Sequence, residues 1–169
     1  WYYVSKESKS LSNILASGDG GDEIFGGYTF RYEKFLSSTN SNSTSLEKVK
    51  AYLSCHERDR VPDQELLFGN KSNFSWNTIY NSLLPYFDNS LSRLDQVFLA
   101  DYNGKLLYNF NPVNTSIAKS FDIKLLTPLL NDNLISYGLT IPNKLKYDPT
   151  QNIGKLPLRD LLVKNQADS

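Results

Sequence analysis

Methionine is absent from all 169 residues, and the chain opens on Trp1. A chain without an initiator Met reads as a fragment, or as one whose beginning lies upstream. A single cysteine, Cys55, excludes a disulfide framework within the chain; a lone thiol reads as a reduced residue of a cytosolic protein. The single histidine, His56, is its immediate neighbour. Adjacent helix positions do not face each other, so the two do not form a thiol–imidazole catalytic pair, and His56 is expected to face solvent. No apolar run reaches the roughly 18 residues of a membrane helix, and no signal peptide heads the chain. An excess of one charge is missing too: Lys plus Arg is 18 and Asp plus Glu is 18. That balance gives no support for a nucleic acid or an anionic membrane as partner.

What is present is a chain that should fold. Hydrophobic residues make up 40%, with 11 Tyr and 9 Phe leading the aromatics. The length suits one domain of ordinary size with its own core. Residues 2–11 read as the end of a helix. "NILAS", 13–17, is short and apolar and precedes glycine, as a buried parallel strand does. "YTFRYEKFL" reads as a helix, and "SSTNSNSTS", 37–45, as a mobile polar loop. Thr44 and Glu47 fit a capping box opening a helix that carries Leu46, Val49 and Leu53 on one face. A short helix is expected from Pro62 to Gly69. Pro85 should end or kink any helix over "NTIYNSLLPYF". The clearest amphipathic run follows, with Leu91, Leu94, Val97 and Phe98 on one face. Helices are expected from Pro112, over 128–142 and from about Pro157. One strand among some seven helices has no ladder partner, so an upstream segment is expected to supply the rest of the sheet.

The stretch "ILASGDGGDEIFGGY", 14–28, gathers five of the nine glycines around Asp19, Asp22 and Glu23. A strand ending in a glycine turn that opens a helix is a ligand position in open α/β sheets. Glycine lets a backbone approach a bound group closely. Three acids with no base nearby in sequence would repel bare phosphate. They suit a cation, since Mg²⁺ takes one or two carboxylates together with phosphate oxygens and water. The residues alone leave two readings open: a Mg²⁺–nucleotide loop, or a solvated turn in which Asp22 caps the short helix and Gly26-Gly27 end it.

The segment "SGDGGDEIFGGY", Ser17 to Tyr28, resembles the asparagine synthetase family motif S-G-[DE]-G-x-D-E-x-F-G-G-Y at every position. "GKLPLRDLL", 154–162, is similar to the family's G-K loop and the helix after it. "SIAKSFDIKLLTPLLNDNLISYGLTIP", 116–142, resembles the family stretch S-M-A-x-S-L-E-x-R-x-P-F-L-D with its following helix and Pro. Order and separation agree across nearly the whole chain. The resemblance implies an α/β fold of the adenine nucleotide α-hydrolase-like type, of which residues 1–169 would be the mostly helical C-terminal portion. It implies ATP and Mg²⁺, with aspartate or a related carboxylate activated as an acyl-adenylate. Ammonia, free or from glutamine, would then displace AMP. Ser17 and Gly18 would lie against the AMP moiety through backbone contacts, in a turn shared with Gly20 and Gly21. Asp22 would help hold Mg²⁺ and pyrophosphate, Asp19 would stand near the reacting amine, and Lys155 would stabilise developing charge. Glu23, Asp122 and Lys124 are further candidates.

Three departures stand out. The family's S-G-G-x-D-S pyrophosphate loop is not in the chain; it and any glutaminase domain would lie upstream, leaving this piece inactive alone. In "NPVNTS", Asn111, Val113 and Asn114 stand where the family's K-x-D-R-x-S segment carries Lys, Asp and Arg. Pro128 comes two residues later than E-x-R-x-P would place it. These departures keep three readings in play: an aspartate ligase, an amide ligase for another carboxylate, and a non-catalytic paralogue.

Overall fold

A computed structural model describes residues 1–56 and 72–165; the helix expected from Pro62 to Gly69 lies outside them. The chain forms two compact units, Tyr28–Ala100 and the segments Trp1–Gly27 and Asp101–Ser169 on either side of it in sequence.

The first unit begins with α1 (Tyr2–Ser8), β1 (Ile14–Ala16) and α2 (Gly21–Phe25). The second supplies α3 (Thr29–Ser38), α4 (Ser45–Ser54), α5 (Trp76–Phe87) and α6 (Arg93–Ala100). The first then resumes with a π-helical stretch, Asp101–Phe110, followed by α7 (Asn111–Ser120) and β2 (Lys124–Leu126). A 3-10 turn (Pro128–Leu130), α8 (Asp132–Thr140), a second 3-10 turn (Asn143–Leu145) and α9 (Leu156–Lys164) complete it. The described residues are therefore mostly helical, with a small parallel sheet in the first unit.

That sheet corrects one expectation. β1 has a partner within the chain: it pairs in parallel with β2, Ile14 opposite Lys124, Leu15 opposite Leu125 and Ala16 opposite Leu126. Asn13 and Ser17 extend the ladder, through Lys124 N–H to the Asn13 carbonyl and Ser17 N–H to the Leu126 carbonyl, each 2.8 Å. "KLL" escaped notice because three residues are too few to show an alternation. The strand is also not buried. Only Leu15 is half-covered, while Ile14 stays 50% exposed, because in a sheet of two strands each strand is an edge. The interior of this unit gathers Ile24, Phe25, Leu106, Ala118, Ile123 and Tyr147.

Helix boundaries follow local chemistry, with one further correction. The helix expected across 128–142 breaks at Asn131, whose backbone is extended and whose side chain accepts from Asn133 N–H, capping α8. Pro85, expected to end or kink the helix, stands in the last turn of α5, which runs two residues past it to Phe87.

The second unit packs Tyr32, Phe35, Val49, Tyr52, Phe87, Leu94, Val97 and Phe98 together. Leu46 and Leu91, expected on apolar faces, are exposed at 41% and 48%. The capping box at Thr44 and Glu47 is present. The polar stretch after α3 is pinned: Arg93 Nη1 donates to the carbonyls of Leu36, at 3.0 Å, and of Thr39. His56 does not simply face solvent. Its Nδ1 lies 2.8 Å from the Tyr52 carbonyl, its ring packs edge-on against Tyr52, and its Nε2 meets Arg31. Cys55 is buried and reduced.

Candidate active site

The loop after β1 is built by its glycines and one serine. Ser17 closes the ladder and its Oγ accepts from Asp19 N–H at 3.2 Å, a local turn that fixes the direction of the loop. Gly18 is exposed and faces open space. Gly20, not Asp22, caps α2. Its φ of 91° is left-handed backbone that a side chain rarely adopts, and a Cβ there would overlap Leu130. Asp22 sits one position inside the helix, in its first turn, where a carboxylate favours the helix dipole. Gly21 is buried beneath it.

The three crowded acids separate into three environments. Glu23 is 2% exposed and belongs to the interior. Asp19 receives a hydrogen bond from Asn114 Nδ2 at 3.0 Å. Asp22 Oδ1 meets Lys155 Nζ at 2.9 Å. The base missing near the acids in sequence thus arrives from far along the chain.

Lys155 is presented by a tight hairpin. Asp148 and Ile153 exchange both backbone hydrogen bonds, at 2.8 and 3.1 Å. The Asp148 carboxylate accepts from Thr150 N–H at 2.8 Å and from the Thr150 hydroxyl. Those bonds, the hydroxyl's first, hold the Asp148 carboxyl below its ordinary value. Tyr147 OH donates to Asn152 Oδ1 at 3.0 Å, and Leu156 N–H reaches the Lys146 carbonyl at 3.2 Å. Lys155 itself is left-handed, φ 56°, and precedes α9 as its N-cap. A non-glycine residue held there costs about 1–2 kcal/mol, and such strain gathers at functional positions. Its N–H donates to the Phe25 carbonyl at 3.1 Å, tying the hairpin to the end of α2. Arg159 Nε donates to the Gly154 carbonyl at 3.0 Å and braces the turn.

Gly27 explains why glycine follows the loop. A Cβ at that position would overlap both the Asp22 carboxylate and the Lys155 side chain. The backbone passes against the ion pair, and a side chain at Gly27 would make Asp22 and Lys155 shift.

Not every candidate comes together. Asp122 is 89% exposed in its side chain and pairs with Lys9 at 3.2 Å. It precedes β2, and Lys124 is the first residue of that strand, opposite Ile14. Both stand at the amino end of the parallel pair, whereas Ser17 to Asp22 follow its carboxyl end. The structure does not bring them to Asp22 and Lys155.

Asn114 and Arg159 are the residues whose contacts the sequence did not disclose. Asn114 was visible as a departure from a charged position but not as a contact. Its signal is periodic: it lies four residues before the fully buried Ala118, on the same helix face.

A mostly helical chain with a small parallel sheet and a glycine-rich loop beyond the carboxyl end of β1 is compatible with a fragment of an α/β protein. The chain belongs to the asparagine synthase family, whose model matches residues 1–165. It is 29% identical over 106 residues to asparagine synthetase [glutamine-hydrolyzing] 1 of Bacillus subtilis (strain 168). That match covers 56% of this chain and 17% of the relative's length. No solved structure matches the chain.

Proposed function

We propose that this chain forms one wall of the synthetase site of an ATP-dependent amide ligase that converts aspartate and ammonia to asparagine, with release of AMP and pyrophosphate. Its fold would be the adenine nucleotide α-hydrolase-like one, completed by an upstream segment carrying the pyrophosphate loop. A glutaminase domain upstream would supply ammonia from glutamine, and a reduced Cys55 fits a cytoplasmic home. The supporting observation is the meeting of Asp22 and Lys155 at 2.9 Å, drawn from two motifs at opposite ends of the chain.

No group of three or more His, Cys, Asp or Glu among the described residues forms a metal cage. Asp22 offers a single, partly exposed carboxylate beside a cation. That fits a Mg²⁺ ion held chiefly by phosphate oxygens, with one protein ligand. When bound there, Mg²⁺ would neutralise charge on the pyrophosphate leaving group.

The chain's own residues would act as follows. Backbone at Ser17, Gly18, Gly20 and Gly21 accommodates the nucleotide. Lys155, an ammonium on a flexible stem, follows the charge that builds first at phosphorus and then on the acyl oxygen. Asp19 takes a proton from the attacking nitrogen. The Asp22–Lys155 pair is more than a third exposed on both sides, and such pairs are worth about 0–1 kcal/mol. Substrate can therefore separate the two groups at little cost.

The changes at Asn111, Val113 and Asn114 favour one second reading, an amide ligase with a different carboxylate acceptor. The test is pyrophosphate and amide formation by the protein as the cell makes it, supplied with ATP, Mg²⁺, ammonium and aspartate. Asparagine formation is the expected result. Turnover with another carboxylate alone would select the second reading, and no pyrophosphate with any acceptor would overturn both.

A further inference from the structure

We infer that Asn114 is a positioning residue: it orients the Asp19 carboxylate toward the incoming nitrogen while leaving its charge intact. The inference rests on the ligase reading above.

Asn114 lies on α7 and is 6% exposed. A buried amide requires hydrogen bonds, and Asn114 Nδ2 spends one on Asp19 Oδ2 at 3.0 Å. Asp19 is also fixed from its other side, by its own N–H to Ser17 Oγ at 3.2 Å. Backbone and side chain are thus held independently, one by the loop and the other by a helix. Among the described residues nothing else hydrogen-bonds Asp19, so Oδ1 has no protein donor.

The type of donor matters. A guanidinium in this place would take both carboxylate oxygens in a bidentate pair and lower their basicity. A neutral amide takes one oxygen and adds no charge. The result is a carboxylate with one oxygen anchored and the other available as a base. In the amide-forming step the nitrogen–carbon bond forms as the bond from acyl carbon to the AMP oxygen breaks. That electron pair leaves with AMP, and a proton passes from nitrogen to Asp19 Oδ1. Asn114 touches neither reactant; it acts through Asp19.

The role separates from simple packing because the two half-reactions should respond differently. In the protein as the cell makes it, pyrophosphate release reports adenylation. Hydroxamate formation with hydroxylamine, a nucleophile largely unprotonated at neutral pH, reports nitrogen attack. Asn114→Ala should keep first-turnover pyrophosphate release within about twofold and lower hydroxamate formation at least about tenfold. Two near-isosteric variants give a signature that packing does not mimic. Asn114→Asp keeps the size of the side chain but loses the amide donor, so it should match Asn114→Ala in hydroxamate formation. Asn114→Gln keeps the amide donor and should recover part of that loss. Should Asn114→Ala fail to fold, Asn114→Asp carries the comparison. Equal losses in both half-reactions, or wild-type hydroxamate formation in Asn114→Asp, would overturn the role while leaving the ligase reading standing. A wild-type protein that releases no pyrophosphate would overturn the ligase reading, and this role with it.

Discussion

Asp22 Oδ1 and Lys155 Nζ stand 2.9 Å apart, and the backbone of Gly27 passes so close that a single methyl group would strike both. Three residues from two separate stretches of sequence thereby share one small volume. A change at Gly27 therefore reaches both charged groups at once.

Lys155 separates charge from strain. Lys155→Ala and Lys155→Gly should each lower amide formation on the order of 10²-fold, the scale of one lost charge-stabilising group. They should differ in stability. Gly relieves the left-handed backbone at φ 56°, so Lys155→Gly should melt at a higher temperature than Lys155→Ala. Equal melting midpoints would show that the left-handed turn carries no strain.

Gly27→Ala adds no charge and removes none. The added methyl meets the ends of two flexible, partly exposed side chains, so its effect falls on the ion pair rather than on the core. A thermal melt and a rate measured together should show a modest loss of stability and a fall in amide formation of tenfold or more. Wild-type turnover would mean that the pair can shift aside freely.

Arg159 donates through Nε to the Gly154 carbonyl. Lysine has no equivalent planar donor at that reach. Arg159→Lys and Arg159→Ala should therefore reduce turnover alike, by several-fold, by loosening the turn that presents Lys155. Rescue by Lys would assign the effect to charge.

The second unit carries a pH-dependent cap. Glu47 accepts from the backbone N–H of Thr44 at 2.7 Å and from its hydroxyl at 3.0 Å. These bonds, the backbone one first, hold its carboxyl below the ordinary value of 4.5. A carboxyl whose folded value is depressed stabilises the fold above its unfolded value and loses that contribution as pH falls through the folded one. Melting of the wild type and of Glu47→Gln should therefore differ at neutral pH and converge as the pH falls below the ordinary 4.5 and through the lower folded value.

Much of this was legible in the sequence, for reasons tied to chain locality. The Thr44–Glu47 box, the glycine end of α2 and the Pro-started α7 each depend on a few adjacent residues, and adjacent residues are what a sequence displays. The β1–β2 ladder was not legible, since parallel pairing joins distant segments and "KLL" is too short to announce itself. The acids of the glycine loop looked mutually repulsive because their partners, Asn114 and Lys155, lie far downstream. Asp22 looked like a helix cap because its residue type favours caps, yet the left-handed Gly20 took that place. The family motifs marked where to look; the contacts of Asn114 and Arg159 came only from the fold.

A sheet of two parallel strands has no interior strand. Ile14 and Leu126 remain uncovered on it, and each outer margin presents backbone groups able to template a further strand. Wherever those margins stay uncovered, self-association should run through the β edges rather than through the helices.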